Sequence, residues 1–150
     1  MAALRTAILK FTRADQPDTV HEWEIHIKAL HKRTGILNAK RYSALAYKGP
    51  GTDFTLGLVD DHIWMGGASV AKNGILCNPN IPSEEVFTMP HRERVDGIVR
   101  STKPLSYQGT FIDGIAVTFE KGRIVKGTAY RGAEVFKEMV GKEEGGAGVG

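Results

Sequence analysis

The stretch Tyr42-Ser43-Ala44-Leu45-Ala46-Tyr47-Lys48-Gly49-Pro50-Gly51-Thr52-Asp53-Phe54-Thr55-Leu56-Gly57-Leu58 decides the fold. Two strand-forming runs flank Gly49-Pro50-Gly51, a turn tripeptide, and the second run alternates apolar with small or polar side chains. That period of two is the mark of a strand with one face covered. Asp60-Asp61 makes the next turn, and Ile63-Trp64-Met65 reads as a third short strand before Gly66-Gly67. An antiparallel meander is expected here.

Toward the N-terminus the period changes. Asp15-Gln16-Pro17-Asp18 is a helix start, with Pro suited to the first turn and acids near the positive end of the dipole. Val20, Trp23, Ile27 and Leu30 then recur at spacings of three and four, an apolar stripe on one helix face. Gly35 is the expected stop, with Lys32 and Arg33 in the last turn. Toward the C-terminus, past the proline-rich Asn78-Pro79-Asn80-Ile81-Pro82, strand signals return. They cover Val95–Val99, Gly109–Phe119 and Arg123–Val125, with Glu120-Lys121-Gly122 as a hairpin turn. Ala133, Val135, Phe136, Met139 and Val140 suggest a last short helix. Residues 141–150 have no periodicity and are expected to be disordered. The fold class is mixed α+β, β-rich with antiparallel strands and a helix near each end.

Bulk composition narrows the function classes. The 41% hydrophobic and 25% charged residues are ordinary for a globular chain of 150 residues. The formal charge of +3 comes from Lys and Arg spread among acids, as in Arg92-Glu93-Arg94. A nucleic-acid binder concentrates basic charge in one patch, so that class is disfavoured. The single cysteine, Cys77, allows neither an intrachain disulfide nor a thiolate metal site, and a buried structural thiol is expected. No run reaches the ~18 apolar residues of a membrane span, and residues 1–11 lack the pattern of a signal peptide. A cytoplasmic protein with no membrane partner is expected.

The histidines give no metal pattern of their own. His21, His26 and His31 lie five apart, a rotation of about 140° per step, so successive rings do not share a helix face. All three are expected at the surface or the helix edge. No GxSxG motif and no phosphate loop is present. The paired carboxylates Glu84 and Glu85 are more informative. Adjacent residues of an extended chain point to opposite faces, so one can enter a cleft while the other meets a supporting partner. The proline-containing approach would hold that geometry rigid.

Asn80-Ile81-Pro82-Ser83-Glu84-Glu85-Val86-Phe87-Thr88-Met89-Pro90 resembles the Asn-x-Pro-(Thr/Ser)-Glu-Glu-Val-Phe-Thr-x-Pro signature of the aminopeptidase T family. Trp23 and His26 resemble its W-x-x-H helix, and Leu37-Asn38 the Leu-Asn that follows. Tyr47–Asp53 resembles its Tyr-x-Gly-x-Gly-Thr-Asp, and Trp64-Met65-Gly66-Gly67 its Trp-x-Gly-Gly. Ser101–Leu105 and Phe119–Val125 continue the pattern, so the likeness runs from about Phe11 to Val140.

The resemblance implies a cytoplasmic metalloaminopeptidase that removes N-terminal residues from peptides with two divalent ions, zinc or cobalt, and that forms a homodimer. It implies that one of Glu84 and Glu85 is a metal ligand, with Asp53 and His91 as possible supports for the site. No catalytic residue is assigned and no organic cofactor is implied. Residues 1–78 would belong to an N-terminal α/β domain and residues 79–140 to the β-rich start of the catalytic domain. Two metals held ~3.5–4 Å apart need more ligands than one carboxylate pair supplies. The chain is therefore expected to be an internal, truncated segment that lacks the full catalytic site. The alternative is a non-catalytic β-rich module for dimerisation or peptide binding.

Overall fold

A computed structural model describes residues 2–141. The described chain runs α1 (Ala2–Phe11), α2 (Thr19–Lys40), β1 (Ala44–Gly49), β2 (Thr52–Leu58), β3 (Ser69–Val70) and β4 (Leu76–Cys77). It continues with β5 (Pro90–Arg100), β6 (Leu105–Tyr107), β7 (Thr110–Ile112), β8 (Ala116–Glu120), β9 (Arg123–Thr128) and α3 (Ala133–Gly141). This is the expected α+β mixture with antiparallel sheet. The expectation of a disordered tail falls outside the described residues, apart from Gly141, which ends α3.

Contacts divide the chain into two compact units. A helical unit comprises the residues up to Arg41 together with Ile63–Thr88, and a sheet unit comprises Tyr42–His62 and the residues from Met89 onward. Each unit draws on residues from both sides of position 79.

The sheet unit is built on five antiparallel strands in the order β1-β2-β5-β8-β9. The β1–β2 hairpin forms around Gly49–Gly51 as expected, with Tyr47 opposite Phe54 and Gly49 opposite Thr52. The third strand is β5, not Ile63-Trp64-Met65. That triplet lies in the other unit and contributes only an isolated bridge from Met65 to Phe87. The Gly109–Phe119 run is broken into β7 and β8 at Asp113-Gly114-Ile115, where Asp113 bridges to Arg131. Lys121 and Gly122, both with positive φ, make the turn between β8 and β9.

Val95, Ile112, Val117, Phe119 and Phe136 form the buried core of this unit, with Phe54, Leu56 and Ile124 packed against them. Val95 and Ile112 are fully buried. Phe136 is the residue that α3 contributes, and its ring lies against Gly127 of β9.

In the helical unit, Asp18 caps α2 by accepting a hydrogen bond from the His21 backbone N–H at 3.0 Å. The helix does not stop at Gly35 but continues to Lys40, with Arg41 left-handed at its end. An internal glycine costs about 1 kcal/mol of helix propensity. The buried Thr34 and the two hydrogen bonds that Asn38 makes to Trp64 lie on the turns around Gly35 and offset that cost. Trp23 and Leu30 are buried as the stripe predicts, but Val20 is exposed because the stripe's first turn faces solvent. Helix α1 has no buried residue, so it lacks the one-sided burial that makes a helix readable from periodicity. Cys77 is exposed, correcting the expectation of a buried thiol; it lies in β4, whose residues are all exposed.

Candidate functional site

The Glu84-Glu85 segment belongs to the helical unit, where α2 and the turn after α1 supply its partners. The spacing of three between Trp23 and His26 sets both on one face of α2, and their rings meet edge to face with centroids 5.5 Å apart. Trp23 donates its indole N–H to the Thr12 carbonyl at 2.9 Å, which ties the turn after α1 to the helix. From that turn the Arg13 guanidinium lies 4.6 Å from the centre of the Trp23 ring.

Arg13 donates to Oε1 of Glu84 at 2.8 Å. His26 Nε2 lies 2.7 Å from the Ser83 carbonyl and 3.2 Å from Oε2 of Glu84. Both neighbours of Nε2 are acceptors, which puts a ring proton on that nitrogen. Each oxygen of Glu84 therefore faces a donor. The hydrogen bond from Arg13 holds the Glu84 carboxyl below the usual carboxylate range; partial burial opposes this, and the charges of His26, Arg13 and Arg33 reinforce it.

Glu85 makes no hydrogen bond or ion pair among the described residues. It lines a cavity of about 700 Å³ with Trp64, Met65 and Phe87 as apolar walls and Ser69 and Asn80 among the polar ones. The Trp64-Met65-Gly66-Gly67 motif shapes this wall. A Cβ on Gly66 would lie 2.6 Å from the Glu85 carbonyl oxygen, so only glycine lets the two backbones pass so closely. Gly67, at φ +76, turns the chain in a region that side chains disfavour. Met65 and Phe87 exchange backbone hydrogen bonds at 2.8 Å, and Asn38 brackets Trp64 by accepting from its N–H at 2.8 Å and donating to its carbonyl at 3.1 Å.

The two other candidates lie in the sheet unit and have partners there. Asp53 pairs with Lys48 across β1 and β2 at 3.3 Å. His91 accepts the Glu93 backbone N–H at 3.1 Å through Nδ1. Of the helix histidines, His21 and His31 are exposed as expected. His26 corrects that reading, since it is drawn inward by Ser83 and Glu84. Arg13 carried no signal in the sequence, because nothing local marks a residue that acts on a carboxylate 71 positions away.

A divalent ion could take Glu85 as a ligand. Glu84 is less suited, because the guanidinium on Oε1 would repel a second cation. Among the described residues no group of three or more His, Cys, Asp and Glu gathers to hold a metal. Among the described residues, then, the donors at hand could supply one ligand and do not gather into a complete centre.

The profile of the thermophilic metalloprotease family, M29, matches residues 1–150. The chain belongs to this family. It is 51% identical to aminopeptidase T of Thermus thermophilus and 46% identical to aminopeptidase 2 of Geobacillus stearothermophilus, in each case over 93% of this chain and 34% of the relative. A solved structure described as wild-type AmpT from Thermus thermophilus superposes with a TM-score of 0.84 at 49% identity, covering 87% of this chain and 33% of that one. This M29 chain thus spans about a third of the length of the curated relatives it matches. No described helix is long and apolar enough to cross a membrane.

Proposed function

We propose that this chain is part of a metal-dependent aminopeptidase that removes N-terminal residues from peptides, with Glu85 as the carboxylate that it contributes to the metal centre. The observation that carries the choice of Glu85 is the division of labour in the pair. Both oxygens of Glu84 are engaged by Arg13 and His26, while Glu85 is left to the cavity. A bound divalent ion supplies Lewis acidity toward a carbonyl oxygen. Glu85 would hold it, and Trp64, Met65 and Phe87 offer an apolar wall to a substrate side chain.

The finer parts of the reading go together. Two ions, zinc or cobalt, would be held with further ligands sought in the part of the relatives that this chain does not match. Asp53 and His91 would act as structural supports within the sheet unit. The boundary at residues 78 and 79, a homodimer and a cytoplasmic setting complete the reading. The absence of a three-donor group among the described residues favours one alternative, a β-rich module that binds peptide or dimerises without turnover.

The test is hydrolysis of a leucine anilide by a chimera in which this chain replaces the matching third of Thermus thermophilus aminopeptidase T. Metal-dependent turnover is expected, falling at least ~100-fold in Glu85→Gln, since removing a charged group that acts on the reacting centre costs a few kcal/mol. Full activity of the Glu85→Gln chimera would sink the ligand assignment. An inactive chimera that still binds peptide would favour the module.

A further inference from the structure

We propose that Arg13, Trp23 and His26 are positioning residues, a clamp that holds Glu84 so that its neighbour Glu85 is the carboxylate delivered to the cavity. The purpose of the clamp rests on the reading of Glu85 given above; its geometry does not.

Two adjacent glutamates in a loop have no intrinsic reason to differ. An exposed ion pair contributes little, so a single contact would leave Glu84 free to exchange with Glu85. Here the contacts are joined. Trp23 fixes the turn that carries Arg13 through the Thr12 carbonyl, and its ring supports the guanidinium from below. The same ring meets His26 edge on. Nε2 of His26 then reaches two points of the loop, the Ser83 carbonyl and Oε2 of Glu84, so backbone and side chain are fixed by one group. Arg13 and His26 are mostly buried on their side chains, whereas Glu84 is about half exposed (56%). The rigid partners are thus the clamp, and the carboxylate is what it grips. Ser83, 7% exposed, is the buried pivot between the loop and α2.

On the other side, the Glu85 carbonyl lies close against Gly66, in the space that a side chain there would fill. With Glu84 gripped and the Glu85 backbone pressed against the glycine, the alternation of side chains along the loop leaves Glu85 toward the cavity.

NMR of the isotopically labelled full chain tests this. In the unsubstituted chain the Glu85 side chain should give nuclear Overhauser contacts to cavity-wall protons, such as those of Met65 and Asn80, and Glu84 should give none. In the double variant Arg13→Met with His26→Leu, the two glutamates should become equivalent, each showing weakened contacts to that wall. In an otherwise unsubstituted chain His26→Leu should weaken the original pattern, whereas His26→Gln, whose amide can donate where Nε2 did, should retain it. A purely structural role would lower stability without making the glutamates equivalent, and rescue would not follow from a donor alone. Unchanged Glu84 and Glu85 contacts in the folded double variant overturn the clamp. Should that variant unfold the helical unit, Arg13→Met alone carries the test: Glu84 must then lose its fixed direction, or the clamp is wrong. Added Mn²⁺ is a separate probe. Broadening centred on Glu85 supports the ligand reading, whereas broadening that avoids Glu85 overturns that reading and leaves the clamp to be decided by the contacts.

Discussion

The two units hold their chains by different means. In the sheet unit a continuous antiparallel ladder is covered by the apolar cluster of Val95, Ile112, Val117, Phe119 and Phe136. In the helical unit the buried apolar residues are fewer, Trp23, Leu30 and Trp64, and side chains of α2 reach instead for loop backbone. Asn38 takes both backbone polar groups of Trp64, His26 takes the Ser83 carbonyl, and His31 takes that of Ala68 at 3.2 Å. Apolar burial stabilises without regard to direction, at about 25 cal/mol per Å². A hydrogen bond contributes only about 0.5–1.5 kcal/mol but fixes an angle. The carboxylate pair lies where angles are fixed.

The largest expected effect breaks the comparison on its apolar side. Phe136→Ala removes the α3 contribution to a closed core and should cost about 3–5 kcal/mol in urea unfolding. A loss below about 1 kcal/mol would mean that α3 is not part of that core. Next comes the polar side. Asn38→Ala removes the side chain that accepts from the Trp64 N–H and donates to its carbonyl, and should cost about 1–3 kcal/mol, read as faster hydrogen exchange at the Trp64 amide. An unchanged exchange rate there would show that α2 does not hold the loop through Asn38.

The smallest effect concerns a surface pair in the sheet unit. Arg94 bonds Asp60 at 2.9 Å and, with its charge, lowers the Asp60 carboxyl pKa; slight desolvation opposes this, and His91 adds a little to the lowering. A depressed carboxylate contributes stability that is complete above its unfolded pKa and is lost as pH falls through the folded value. In Asp60→Asn the stability profile should therefore be slightly flatter below about pH 3.9 and unchanged in its pH dependence near neutrality. A flattening at neutral pH would point to a different group.

Much of the sheet unit was legible because its signals are local. The alternation in Phe54–Leu58, the Gly49–Gly51 turn and the Lys121-Gly122 turn each act within a few residues. Ile63-Trp64-Met65 misleads for the same reason: a short apolar run looks alike whether it pairs in a sheet or tucks Trp64 into a helical unit. The Glu84-Glu85 pair was visible as a pattern, and the expectation that its members take opposite directions came from strand geometry alone. Their partners were hidden. Arg13 to Glu84 and His26 to Ser83 join segments 71 and 57 residues apart, and nothing in the local composition encodes such a pairing.

The strand pairing beside residues 59–89 has one more consequence. Leu58 is paired with Pro90, and the Val59 N–H reaches the Met89 carbonyl at 3.4 Å. The chain thus leaves the sheet and returns to nearly the same point, so the ladder itself ties the neck of a long excursion. Once β2 and β5 zip together, the entropy of closing that loop has already been spent, and the intervening residues search for their contacts as a tethered ring. The same neck is a natural splice point, where an insertion could enter or a shorter bridge replace the excursion while the ladder kept its register.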